Sequence, residues 1–176
     1  MTWRCPLPLA LVPTDRDDRQ DPAPGTTWLP LPPHPGAFGV KRRHHTHEGV
    51  DLYAPSGTAV SAVEPGQVVQ VEAFTGPSAG TPWWHDTQAI FIEGASGVVV
   101  YGELAVIEGL ALGDQVAVGQ VIGHLKPVLR VDKGRPLTML HLELHAPLTR
   151  CAPAWETERP ATLRDPTPAL RQIAKV

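Results

Sequence analysis

Nowhere in the chain do about eighteen apolar residues follow one another, so no segment reads as a membrane-spanning helix. Basic residues are not in excess either. The 15 Lys and Arg against 18 Asp and Glu leave a formal charge of −3, which argues against a nucleic-acid binder that relies on general electrostatic attraction. Cysteine is scarce: Cys5 and Cys151 lie near opposite ends of the chain, allow at most one disulfide between the terminal segments, and do not establish a compartment. Uninterrupted helical runs are scarce as well, because 20 prolines and 16 glycines in 176 residues favour short strands joined by turns. With 42% hydrophobic and 19% charged residues the chain is still able to bury a sizeable core, which points to one all-β domain with appendages. The first thirteen residues hold one basic residue and an apolar run broken by prolines, a poor match to a secretory signal, and Cys5 does not follow the pattern of a lipoprotein signal.

Residues 1–36 carry nine of the 20 prolines and the polar run Thr14–Asp21, and read as an extended arm ordered where Trp28 and Leu29 meet an apolar surface. The basic cluster Lys41-Arg42-Arg43-His44-His45 reads as a solvated strand end, with a groove-edge patch for substrate carboxylates as the alternative. Gln67–Phe74 is a predicted strand. Thr87–Glu93 and Val98–Leu104 form a predicted hairpin around Gly94–Gly97. Between them, Thr75–Asp86 is a loop, in which Trp84 is a candidate for gripping substrate and His85 a looser candidate for a catalytic histidine. Lys126–Arg135 is a polar loop whose Arg135 suits a substrate carboxylate. Residues 149–176 read as a tail with one or two helical turns near Pro168–Ala174.

The chemistry lies in His47-Glu48-Gly49-Val50-Asp51 and in Met139-Leu140-His141-Leu142-Glu143-Leu144-His145. Imidazole and carboxylate are the side chains that hold zinc while leaving a position open for water. In an extended strand, residues four apart are separated by about 13 Å, so His47 and Asp51 can share an ion only if the backbone bends, and Gly49 stands midway. In the second segment His141, Glu143 and His145 alternate with leucines, the period of a half-buried strand with leucines inward and His141 toward a groove. A helical His-Glu-x-x-His motif does not fit, because the glutamate is displaced, and on a strand His145 lies about 13 Å from His141.

The order His-x-Gly-x-Asp, Gly57-Thr58-Ala59-Val60, Pro65-Gly66-Gln67-Val68-Val69, Tyr101-Gly102-Glu103-Leu104, Gly113-x-x-Val116-x-x-Gly119-Gln120-x-Ile122-Gly123 and Leu140-His141-x-Glu143 resembles the lysostaphin-type zinc peptidases that cut peptide cross-links in peptidoglycan. The resemblance spans about residues 39–147. It implies a small antiparallel β sandwich of the duplicated hybrid motif type over residues 37–148, flanked by the Pro-rich arm 1–36 and the tail 149–176. It further implies zinc held by His47, Asp51 and His141, peptidoglycan peptides as substrate or ligand, and a place in the cell envelope or outside the cell. Two positions depart from the family. Met139 stands where a histidine precedes the last ligand, and Glu103 stands where Tyr-x-His-Leu is usual; those two histidines are thought to activate water and stabilise the oxyanion. Glu103 is therefore the candidate general base, with metal binding or a structural hydrogen bond as its other roles. The expected function is a zinc metalloendopeptidase. The alternative is a catalytically impaired zinc module that binds wall peptides or regulates a partner. The sequence argues against a biotinyl- or lipoyl-carrier role, since no lysine stands at a hairpin tip and Lys126 precedes a proline.

Overall fold

Alternating valines and leucines ask for sheet, and sheet is nearly all that forms. The computed structural model describes residues 2–17, 22–131 and 137–174. Among these are β1 (Ala10–Thr14), β2 (Thr26–Pro30), β3 (Val50–Tyr53), β4 (Ala59–Ser61), β5 (Gly66–Thr75), β6 (Thr87–Gly94), β7 (Gly97–Val106), β8 (Gln115–Val116), β9 (Val121–Leu125), β10 (Met139–His145) and β11 (Leu163–Arg164), with one short helix, α1 (Thr167–Ile173). Apart from β1 and β2, which pair in parallel, the strands make one antiparallel sheet with the path β11-β10-β7-β6-β5-β8, to which β3 is added through β10 and β9 through β7. The hairpin read from sequence is β6–β7, turned over Ala95 and Ser96.

Strand β10 organises the sheet. On one edge it pairs with β7, and on the other with β3 near its start and β11 near its end. Its leucines, Leu140, Leu142 and Leu144, enter the main core beside Val50, Leu52, Ile90, Ile92, Val99 and Tyr101. The Tyr101 hydroxyl accepts the Val63 N–H at 2.9 Å, which satisfies the phenol where no water reaches it. On the opposite face, Gly102, His141 and Asp51 form a row across β7, β10 and β3. A smaller apolar cluster of Val69, Ala89, Phe91, Val98 and Val100 covers that face further along.

The terminal segments do more than the sequence suggests. Trp3, Leu7, Leu11 and Leu29 from the N-terminal segment and Leu170 from α1 are all buried in the same core as the leucines of β10. Proline excludes a segment from a sheet interior but not from an edge pairing, so the expected extended arm instead forms β1 and β2. Cys5 and Cys151 are both free, with the Cys5 thiol donating to the Leu9 carbonyl and Cys151 exposed.

Candidate metal centre

His47 and Asp51 are brought together as the sequence requires, by a bend at Gly49 immediately before β3. The reason for glycine is close approach. A Cβ at Gly49 would stand 2.6 Å from the Leu142 carbonyl oxygen and 2.9 Å from the His141 ring, so this backbone lies directly over His141. Gly49→Ala is expected to destabilise the fold by about 1–3 kcal/mol through overpacking, read as a shifted midpoint in chemical denaturation. The same covering corrects the expected half-buried strand: β10 is buried on both faces, and Glu143 and His145 are as enclosed as the leucines between them.

Three donor atoms converge. His47 Nε2 is 3.2 Å from Asp51 Oδ1 and 3.2 Å from His141 Nδ1, and His141 Nδ1 is 2.9 Å from Asp51 Oδ1. Such a group can hold a metal ion. Four ligands at about 2.1 Å around a tetrahedral ion lie roughly 3.4 Å apart, close to these separations. Orientation fits too. His47 Nδ1 is 2.9 Å from the Ala37 carbonyl and His141 Nε2 is 2.8 Å from Glu143 Oε1, so each ring has an acceptor for its N–H on the side away from the cluster. A carboxylate or carbonyl behind a histidine in this way sets the tautomer that leaves a lone pair for a metal.

The charges around the three are dense. Burial opposes ionisation of Asp51, yet His47, Arg42 and the hydrogen bonds from both imidazoles hold its carboxyl well below the ordinary range. Burial also dominates at His47 and lowers its pKa, with Asp51 acting the other way. At His141 burial is outweighed by the hydrogen bonds to Asp51 and Glu143, which lift the imidazole to about 10. Glu143 is held at about 2 despite burial, because His141 and His145 both hydrogen-bond to it. Behind it, His145 Nε2 lies 2.6 Å from Glu143 Oε2 and its Nδ1 lies 3.0 Å from Thr162 Oγ1, a hydrogen-bonded line running from the cluster into the C-terminal segment.

Arg42 is the residue sequence reasoning missed. Its Nη2 reaches Asp51 Oδ2 at 2.6 Å, on the oxygen the histidines do not use, while Nε and Nη2 both donate to the Pro35 carbonyl. Nothing in a run of five basic residues singles out the one that folds inward. His44 is exposed, and His45 is half-buried with Nε2 3.7 Å from Glu48 Oε2. The segment is also clamped from the tail. Thr46 N donates to the Trp155 carbonyl at 2.8 Å, Trp155 N donates to Glu48 Oε1 at 2.7 Å, and Arg159 stacks over the rings of Phe38 and Trp155.

Glu103 sits beside this centre in an unusual backbone. Between the pairs Ile90–Tyr101 and Gln88–Leu104, Gly102 and Glu103 oppose the single residue Ala89, a β-bulge, and Glu103 has φ 68°. Bulges re-aim side chains, and left-handed non-glycine residues persist where their surroundings hold them. Here Thr75 and Thr87 hold the carboxylate, both hydroxyls donating to Oε2 at 2.9 and 2.8 Å. Burial raises the Glu103 pKa against the pull of those two hydroxyls and of His141. Gly102, opposite His141, leaves room for Phe74, whose ring centroid is 5.5 Å from that of His141.

Trp84, His85 and Met139 are not among the three convergent donors. Trp84 is half-buried, with its backbone bridged to Leu129 and its ring edge-on to Trp83. His85 is half-buried and donates its N–H to the Val128 carbonyl. Met139 is half-buried opposite Tyr53. Arg135 lies outside the described residues.

A family model described as Peptidase family M23 matches residues 45–153, a span containing all three donors and Glu103. Among solved structures, cbpa from L. salivarius REN aligns with a TM-score of 0.52 at 20% identity, covering 78% of this chain and 84% of that one. The antimicrobial peptidase lysostaphin from Staphylococcus simulans aligns with a TM-score of 0.51 at 21% identity, covering 78% of this chain and 48% of that one. These likenesses concern the all-β fold. No curated protein matches the chain.

Proposed function

The chain belongs to peptidase family M23, and from that premise we propose that it is a zinc-dependent endopeptidase acting on stem or cross-link peptides of peptidoglycan, with His47, Asp51 and His141 as the metal ligands. The observation that carries this reading is the convergence of His47 Nε2, Asp51 Oδ1 and His141 Nδ1 within 3.2 Å of one another, two imidazoles and a carboxylate. Zinc bound there supplies Lewis acidity, polarising a carbonyl and bringing the pKa of water down to about 7.

The chain's own residues do the positioning and the proton transfer. Arg42 takes Asp51 Oδ2, so the carboxylate turns Oδ1 toward the histidines. Glu143 holds the His141 ring through Nε2 and is itself held by His145. Glu143→Gln puts an amide N–H against one of those histidines, and zinc affinity is expected to fall about 10–100-fold, measured by competition with a chromogenic chelator. Glu103 is the group we assign to take a proton from the attacking water. Its raised pKa brings a carboxylate closer to the working pH of a base, and Thr75 and Thr87 fix one oxygen of it.

Met139 favours a second reading. A thioether donates no hydrogen bond, so the position that carries a histidine in the family offers nothing to a developing oxyanion, usually a large term in catalysis. The second reading is a zinc-holding module that binds wall peptides without cutting them. Digesting purified peptidoglycan with the zinc-loaded chain and with a chelated control, followed by mass analysis of released peptides, separates the two. New peptides that require zinc are the expected result. Retention on peptidoglycan with one zinc bound and no release is the outcome that sinks the peptidase reading.

A further inference from the structure

Beside Glu103 lies a cavity that the reading above does not use. His85, Asp86, Lys126, Pro127 and Arg130 line a surface space of about 330 Å³. Its two walls are zipped together: Trp84 and Leu129 form an antiparallel bridge, His85 N donates to the Val128 carbonyl at 2.9 Å, and Arg130 Nε donates to the Trp84 carbonyl at 3.0 Å. Both walls are also tied to Glu103. Lys126 N donates to the Glu103 carbonyl at 3.1 Å, and the Thr75 hydroxyl that reaches Glu103 Oε2 also lies 3.1 Å from the His85 carbonyl.

Among the described lining residues the charges do not balance. Lys126 and Arg130 bring two permanent cations against the one carboxylate of Asp86. Asp86 Oδ1 is already engaged by the Ser78 N–H at 2.9 Å. Arg130 uses Nε on the Trp84 carbonyl; among the described residues its terminal Nη pair and the Lys126 ammonium carry no hydrogen bond. The Asp86 carboxyl is held below its ordinary value by the Ser78 N–H first and by Lys126 and Arg130 after it, so the cations already favour an anion at this place. A guanidinium edge beside an ammonium, in a concave site open to solvent, matches a carboxylate in geometry and charge.

We propose that this cavity is a subsite for a free carboxylate of the substrate peptide, held by Arg130 and Lys126 and tied by hydrogen bonds of its walls to Glu103. The inference rests on the peptidase reading for its place in the reaction, but the recognition itself needs no metal. It makes the preferred substrate a stem peptide that carries an unamidated carboxyl group, and disfavours an uncharged bridge peptide.

The test is equilibrium binding of acetyl-L-lysyl-D-alanyl-D-alanine and of its C-terminal carboxamide to the full chain, with zinc and after chelation, circular dichroism checking that the sheet persists. The acid is expected to bind about tenfold more tightly than the amide in both states, the scale of one charge-assisted contact. That preference is expected to vanish in the double variant Lys126→Gln/Arg130→Gln, and to grow in Asp86→Asn, which removes the competing anion and keeps an oxygen for Ser78. Equal binding of acid and amide after chelation, or a preference that survives the double substitution, would overturn the subsite. Hydrolysis is scored separately: a carboxylate preference without cleavage by the zinc-loaded chain leaves the subsite standing and removes the peptidase reading alone.

Discussion

Asp51→Ala is expected to abolish stoichiometric zinc binding, weakening affinity by more than the roughly hundredfold that losing a group behind a ligand costs. Oδ1 is the atom both histidines approach, at 3.2 and 2.9 Å, and nothing else in the cluster supplies an oxygen there. The substitution also leaves Arg42 facing two imidazoles without the carboxylate between them. A folded Asp51→Ala chain that retains one zinc at unchanged affinity would refute the ligand assignment. Asp51→Asn is the useful companion, since it keeps the shape and an oxygen but removes the charge that offsets Arg42. Its affinity is expected to fall between those of the parent and the alanine variant, by equilibrium dialysis with metal analysis.

Glu103→Gln is expected to lower hydrolysis of peptidoglycan peptides by about 10²–10⁴, the range for removing a positioned acid or base, with zinc content unchanged. The separation of effects is the point of the experiment. Glu103 is not one of the three convergent donors, so a loss of metal in this variant would mean that it binds the ion. Glutamine can still accept from Thr75 and Thr87 through its amide oxygen, so the bulge should persist. Activity that survives with zinc intact would remove Glu103 from the mechanism and leave the base elsewhere.

Much of the fold was legible because its signals are local. Leucines two apart in Met139–His145 state a strand and its inward face without reference to any partner, and β10 has that register. The hairpin β6–β7 was equally readable from its two apolar runs and the glycines between them. The Pro-rich ends were not, since proline reports only what a segment cannot do in a sheet interior. Whether Leu11, Leu29 and Leu170 are buried depends on surfaces contributed by the middle of the chain.

At the candidate site the same division holds. Residue types and their spacing already require that His47 and Asp51 be joined by a bend if they share an ion, because spacing along a backbone limits what two side chains can reach. The resemblance to the family puts Met139 and Glu103 where histidines are expected. It takes the folded chain to bring His141, 94 residues from His47, to 3.2 Å from it. The tertiary structure alone decided that Arg42 turns inward while Arg43 and His44 remain exposed, that Glu143 points behind His141 and binds His145, and that Trp155 grips the segment carrying His47. Periodicity is a property of neighbours in the chain. Contact between distant side chains follows from strand register and from which backbone packs over which ring, and those are settled by the summed packing of the whole sheet.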